Sequence, residues 1–150
     1  MIYNSLFRNW LAGFIDGEGC ITATYNKYLL NNYYPSITPH FILGNTDKKI
    51  MYYLGNLFQI KIKEKQRFKK HKILYEMRCE SKKAVNILKL VYPYLRLKKK
   101  QAKLCLELYK TINYFRKTNK KGQFKKLDKR TFKKRVLLYK KLRKLNKRGV

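Results

Sequence analysis

Carboxylates are the scarcest functional group in this chain: 8 Asp and Glu stand against 38 Lys and Arg in 150 residues, a formal net charge of +30. So lopsided a balance points to a polyanionic partner, nucleic acid ahead of an anionic membrane surface. Long apolar runs are missing too. No stretch of about 18 apolar residues occurs, so no membrane-spanning helix and no membrane partner are expected. The N-terminus lacks the basic, apolar and small-residue succession of a secretory signal, so none is expected. Cysteine is limited to Cys20, Cys79 and Cys105. That odd, scattered set argues against a disulfide framework and for reduced core thiols in an intracellular protein. There is no internal repeat. What remains is 45% hydrophobic and 15% aromatic, enough for the core of one modest domain.

The charge is distributed unevenly. Of the 38 basic residues, 17 lie between Arg116 and Arg148, whereas residues 1–115 carry the apolar bulk and all but one of the acids. The chain therefore divides into a globular body, 1–115, and a basic C-terminal part, 116–150. The latter is a polar connector to about Leu127 followed by a helix with Asp128 as its N-cap. Phe132, Val136, Tyr139, Leu142 and Leu145 recur there at helical spacing. Such a helix either docks through that stripe as a solvated element or offers its cations to a nucleic acid; spacing leaves both open.

Helices and strands alternate in the body. Ser5 can cap a first helix from Leu6 to about Asp16. Strands are expected over Ile21–Lys27 and Ser36–Leu43, and Thr46 can cap a second helix whose one face holds Ile50, Met51, Leu54, Leu57 and Phe58. Two further alternating segments, 60–66 and 72–79, flank a basic turn. Ser81 can cap a third helix that Pro93 ends, and a fourth runs from about Lys99 to Asn113. The order αββαββα gives an α+β fold, two hairpins in one antiparallel sheet with helices on one face.

A period of two sorts the strand residues by face. Ile21, Ala23, Tyr25, Ile37, Phe41 and Leu43 point inward. Thr22, Thr24, Asn26, Tyr28, Ser36, Thr38 and His40 point outward, joined by Lys61, Lys63, Lys65, Lys72, Glu76 and Arg78 from the second hairpin. Hydrogen-bonding groups ringed by cations suit the major groove of double-stranded DNA. The lysine ladder 61–65 repels itself on a bare sheet and is relieved by an anion laid across it. An ordinary solvated sheet face is the plainer alternative.

The stretch "WLAGFIDGEGCI" (10–21) puts Asp16 and Glu18 at the end of an apolar helix. Leu6, Phe7, Trp10, Leu11, Phe14 and Ile15 surround most of that helix, so burial on nearly all sides is expected. Gly13 and Gly17, four apart, allow another backbone to approach closely, and a second copy of the helix across a two-fold axis would provide one. Two carboxylates per chain then meet at helix C-termini, where the dipole disfavours them by up to about 1 kcal/mol each. A divalent cation removes that conflict, and Mg²⁺ prefers carboxylate and phosphate oxygens. Local capping by Asp16 and a lysine partner for Glu18 is the alternative.

"LAGFIDGEG" (11–19) resembles the signature of the LAGLIDADG homing endonucleases; "PYLRLKKKQA" (93–102) and "GNTDKK" (44–49) are similar to further segments of the single-motif members. With the αββαββα order, the resemblance spans roughly residues 5–115. It implies the LAGLIDADG homing endonuclease fold, a β-sheet saddle on DNA, and site-specific, Mg²⁺-dependent, staggered double-strand breaks in a long target during intron homing, with Mn²⁺ as a substitute metal. It also implies a homodimer on a pseudo-palindromic site, its interface built by Trp10, Leu11, Ala12, Gly13 and Asp16. By the same resemblance Glu18 and the Gly17 carbonyl bind metal, Asp16 is structural, Lys98 polarises solvent, and Asn45 positions water. Lys49 is the second basic residue, with Lys48 as the match after a one-residue shift. Two rivals stand beside this: an RNA maturase assisting its host intron, and a basic nucleic-acid-binding protein without enzymatic activity. The abundance of Lys, Asn, Ile and Tyr suggests an AT-rich coding sequence in an organelle (chloroplast or mitochondrion) or a prokaryotic cytoplasm.

Overall fold

In the structure, a computed structural model, residues 3–27, 34–66, 68–115 and 127–147 are described. The elements are α1 (Ser5–Glu18), β1 (Gly19–Asn26), β2 (Ser36–Asn45), α2 (Lys48–Phe58), β3 (Ile62–Lys65), β4 (Leu74–Glu80), α3 (Ser81–Val91), α4 (Lys99–Phe115) and α5 (Lys129–Leu145). The four strands form one antiparallel sheet in the order β1-β2-β4-β3. The first four helices pack on it, and α5 docks against α4 and β1. This is the expected α+β order, extended by α5.

The alternation in β1 and β2 places Ile21, Ala23, Ile37, Phe41 and Leu43 in the core beneath the sheet, where they meet Leu11, Ile15, Leu54, Met77, Leu88 and Leu108. Each of the larger of these side chains stabilises the fold by about 1.5–3 kcal/mol through removal from water. The opposite face carries Thr22, Thr24, Asn26, Ser36, Thr38 and His40, as the period of two requires; Thr22 lies across from His40 and Thr24 from Thr38. Tyr28 lies outside the described residues, as does most of the 116–127 connector.

Several expectations are corrected locally. The cap of α1 is Asn4, whose Oδ1 accepts from Phe7 N at 2.8 Å, so Ser5 is already helical. The cap of α2 is Asp47, which accepts from Ile50 N at 3.0 Å, one residue beyond Thr46. Carboxamide and carboxylate oxygens compete well for these free amides. Ser81 does not cap α3: it is the first helical residue, with a left-handed φ of 53° that turns the chain directly out of β4. Strand β3 is confined to Ile62–Lys65 and β4 begins at Leu74, so Lys61 and Lys72 flank the strands instead of standing in a ladder. Cys79 and Cys105 are core thiols, pushed up to about 12 by burial, but Cys20 is exposed on the outer face.

Helix α5 is a docked element. Asp128 caps it through Thr131 N at 2.8 Å. Leu138 and Leu142 enter the common core, Tyr139 packs on Tyr25 and Phe132 on Tyr34. Arg135 is buried and donates from Nε to Thr111 Oγ1 and from an Nη to Thr111 O, both at 3.0 Å. Asn146 Nδ2 donates to Ile21 O on the edge strand at 2.8 Å. Of the apolar stripe read from spacing, Leu145 stays exposed; Leu138 and Arg135, outside that stripe, are buried in its place.

Candidate functional site

The C-terminal end of α1 is tied to the start of α4 by one acid. Asp16 accepts three backbone amides of the segment before α4: Arg96 N at 2.7 Å and Leu97 N at 3.2 Å on Oδ2, and Lys98 N at 2.9 Å on Oδ1. Lys98 returns the contact, its ammonium donating to Ile15 O at 3.2 Å and to Asp16 O. A cation over the last carbonyls of a helix is also favoured by the helix dipole. The paradox of an acid at a helix C-terminus thus resolves locally for Asp16, which satisfies free amides within its own chain.

Glu18 is different. It is the last residue of α1, exposed, and followed by Gly19, where an added Cβ would lie 2.7 Å from Ile15 O. Gly19 therefore lets the chain pass from helix straight into β1. Because Gly19 pairs with Leu43, the end of α1 and the end of β2 with Asn45 share one end of the sheet. Asn45 Oδ1 accepts from Asp47 N at 2.8 Å, which commits its oxygen and leaves its amide N–H groups as donors. Lys48 is engaged elsewhere, within 6 Å of the Tyr52 and Tyr75 ring centres and 4.0 Å from Glu64, while Lys49 is exposed in the first turn of α2. The Lys48 side chain is itself 63% exposed, so both lysines stay accessible at this end of the sheet.

One carboxylate per chain is too little for a self-contained metal cage, and no group of three or more His, Cys, Asp or Glu able to hold an ion occurs among the described residues. An exposed Glu18 and the neighbouring exposed Gly17 nevertheless fit Mg²⁺, which takes one or two carboxylates and fills its shell with water and phosphate oxygens.

The helix face predicted to meet a second subunit is only partly available. Leu11 and Ala12 are wholly buried by their own chain and cannot contribute contact area; they hold α1 on the sheet. Leu6 is 78% and Trp10 41% exposed, and a Cβ built on Gly13 or Gly17 meets nothing within 4 Å. Burial on nearly all sides is therefore not reached within one chain.

The outer sheet face presents Thr22, Thr24, Asn26, Ser36, Thr38, His40, Lys63, Lys65 and Arg78 to one side. His40 Nδ1 lies 3.1 Å from Thr24 Oγ1, and its Nε2 lies 3.9 Å from Glu80. Burial lowers the His40 pKa and Arg78 adds to this, while the charges of Glu80 and Glu76 oppose it. Glu76 departs from expectation: it points to the outer face yet is buried, bound by Lys65 Nζ at 2.7 Å and by the Arg78 guanidinium. It is not an open acceptor, and the outer cations are partly compensated from within the protein.

Comparison with known proteins agrees with this layout. The family model described as LAGLIDADG endonuclease matches residues 11–110. No curated protein matches the sequence significantly. Among solved structures, the homing endonuclease I-CvuI in complex with the I-CreI target, with Mg present and the DNA uncleaved, is 22% identical over 96% of this chain and 84% of its own, with a TM-score of 0.72. The archaeal intron-encoded homing endonuclease I-Vdi141I, complexed with DNA, is 18% identical over 97% and 87%, with a TM-score of 0.73. The homing endonuclease I-TnaI is 17% identical over 97% of both chains, with a TM-score of 0.64. At these identities the structures establish the fold, and the family match establishes the class. With its motif helix, pinned Asp16 and cation-lined sheet, the chain belongs to the LAGLIDADG endonuclease family, site-specific hydrolases of DNA.

Proposed function

We propose that the protein is a homodimeric homing endonuclease that makes staggered double-strand breaks in a long, pseudo-palindromic DNA target by divalent-metal-dependent hydrolysis, and that it serves intron homing. The observation that carries this reading is the division of labour between two acids two residues apart: Asp16 is saturated by three amides, whereas Glu18 is left exposed at the helix end. Glu18 and the Gly17 carbonyl would hold the metal, which supplies a Lewis acid for the scissile phosphate and an acidified water. Lys98, with two of its three N–H groups on α1 carbonyls, keeps one to donate toward a phosphate or an attacking water. Asn45 donates to and orients water through its amide, and Lys49 adds positive charge beside the developing anion. The sheet reads the half-site while Thr, Ser, Asn and cationic side chains contact base edges and phosphates.

The test is cleavage of a randomised duplex library by the purified protein with Mg²⁺, with Mn²⁺ and with chelator, beside Glu18→Gln. Metal-dependent cutting that Glu18→Gln abolishes, with DNA binding retained, is expected. Nicking by Glu18→Gln would overturn the assignment of Glu18. Binding of intron RNA without any metal-dependent DNA cleavage would replace the nuclease reading with the maturase one.

A further inference from the structure

The outer face of the sheet holds one side chain that contradicts its surroundings. Glu76 stands on the face assigned to DNA, between Lys63 on β3 and Gly44 on β2 in the strand register, yet its side chain is only 8% exposed. The two cations bound to it remain open, Lys65 at 44% and Arg78 at 41%. Lys65 Nζ reaches Oε1 at 2.7 Å; Arg78 donates Nε to Oε1 and an Nη to Oε2 at 3.3 Å. Burial by itself raises the Glu76 carboxyl, but the bonds and charges of Arg78 and Lys65 outweigh it and hold the group below its ordinary value. The carboxylate therefore stays ionised across neutral pH and keeps both cations in place.

We propose that Glu76 is a positioning residue that presents Lys65 and Arg78 as one preformed donor pair, and that this pair selects guanine in the major groove of each half-site. This rests on the reading that the outer face lies on DNA. Donor arithmetic supports the choice of base. Arg78 has five N–H groups and spends two on Glu76; Lys65 has three and spends one. Every remaining group is a donor; the Glu76 carboxylate already holds both cations, and Glu80, the next acid on this face of β4, sits 3.9 Å from His40 Nε2. Guanine offers two acceptors, O6 and N7, on its major-groove edge, whereas adenine sets a donor beside its single acceptor and cytosine offers a donor. Holding both side chains in advance also removes the entropy that long, free cations lose on binding. Opposite Arg78 stands Ile42, and Glu76 faces Gly44, so neither β2 neighbour competes for these donors.

The test selects bound duplexes from a randomised library in chelator, so that it does not depend on cleavage. Full-length protein is compared with Glu76→Gln, Glu76→Asp, Lys65→Ala and Arg78→Ala, each checked by thermal melting. The wild type should enrich guanine at one or two positions per half-site. At those positions Glu76→Gln should lower the guanine-over-adenine ratio by roughly tenfold, with Glu76→Asp restoring part of it. Lys65→Ala and Arg78→Ala, both at partly exposed sites, should affect the same positions and keep the test open even if Glu76→Gln does not fold. Guanine preference unchanged in Glu76→Gln, or wild-type sites with no guanine at the positions that Arg78→Ala alters, would overturn the inference alone. A wild-type protein that selects no duplex at all would overturn the DNA reading beneath it.

Discussion

Asp16 accepts three amides from a segment about eighty residues away, and so carries more of the site's geometry than any other single residue. Asp16→Ala leaves those amides without a partner and frees the Lys98 segment. Hydrogen bonds to a charged acceptor contribute about 1.5–3 kcal/mol each at best, and these are partly solvated, so an overall loss of about 2 kcal/mol is expected in urea unfolding. His40 predicts a pH effect. Its pKa is lowered from 6.5 in the fold, first by burial and then by Arg78, against the opposing charges of Glu80 and Glu76. The folded state therefore binds that proton less readily than the unfolded chain. Its contribution is complete above about pH 6.5 and is lost as the pH falls toward the depressed folded value. Urea midpoints measured between pH 7.5 and 5 should decline less in His40→Gln than in the wild type.

At the scale of elements, α5 is the informative case. No acid lies within Lys129–Leu145, and like charges recur four apart, such as Lys129 with Lys133 and Lys140 with Lys144. Such pairs each weaken an isolated helix by a few tenths of a kcal/mol. Docking offsets this: Leu138 and Leu142 are buried while Leu137 is 53% exposed. Leu138→Ala should cost about 2–5 kcal/mol of stability, whereas Leu137→Ala should stay within about 0.5 kcal/mol. Equal effects in thermal melts would mean that the helix is not held by that face. The spacing of apolar residues announced this helix and its Asp128 cap. Phe132, Val136, Tyr139 and Leu142 of that stripe do turn inward; the spacing missed Arg135, which is buried through its bonds to Thr111, because no hydropathy pattern assigns an arginine to a core.

At the scale of the whole molecule, the exposed side of α1 is unfinished business for a single chain. Leu6 and Trp10 face solvent, and Gly13 and Gly17 leave open space around their Cα atoms. In the proposed homodimer a second α1 covers this face, and the two Glu18 side chains approach one another. A Cβ at Gly13 meets nothing within 4 Å in its own chain, so Gly13→Leu should still fold while shifting sedimentation to the monomer. An undisturbed dimer would remove Gly13 from the interface.

The amino-acid order by itself determined the family, through nine residues at 11–19, and the αββαββα succession, because helical and strand periods and cap residues are local properties. It also determined which face of β1 and β2 is polar, since alternation needs no partner to be read. Only the tertiary structure decided that Asp16 serves the 96–98 segment, that Lys98 covers the end of α1, and that Glu76 lies beneath Lys65 and Arg78. Those contacts join residues on separate elements, and their partners are chosen by how helices and strands pack. The same reason separates Leu11 and Ala12 from Trp10 and Gly13: one helix presents both pairs, and the sheet beneath it takes the first and leaves the second to solvent.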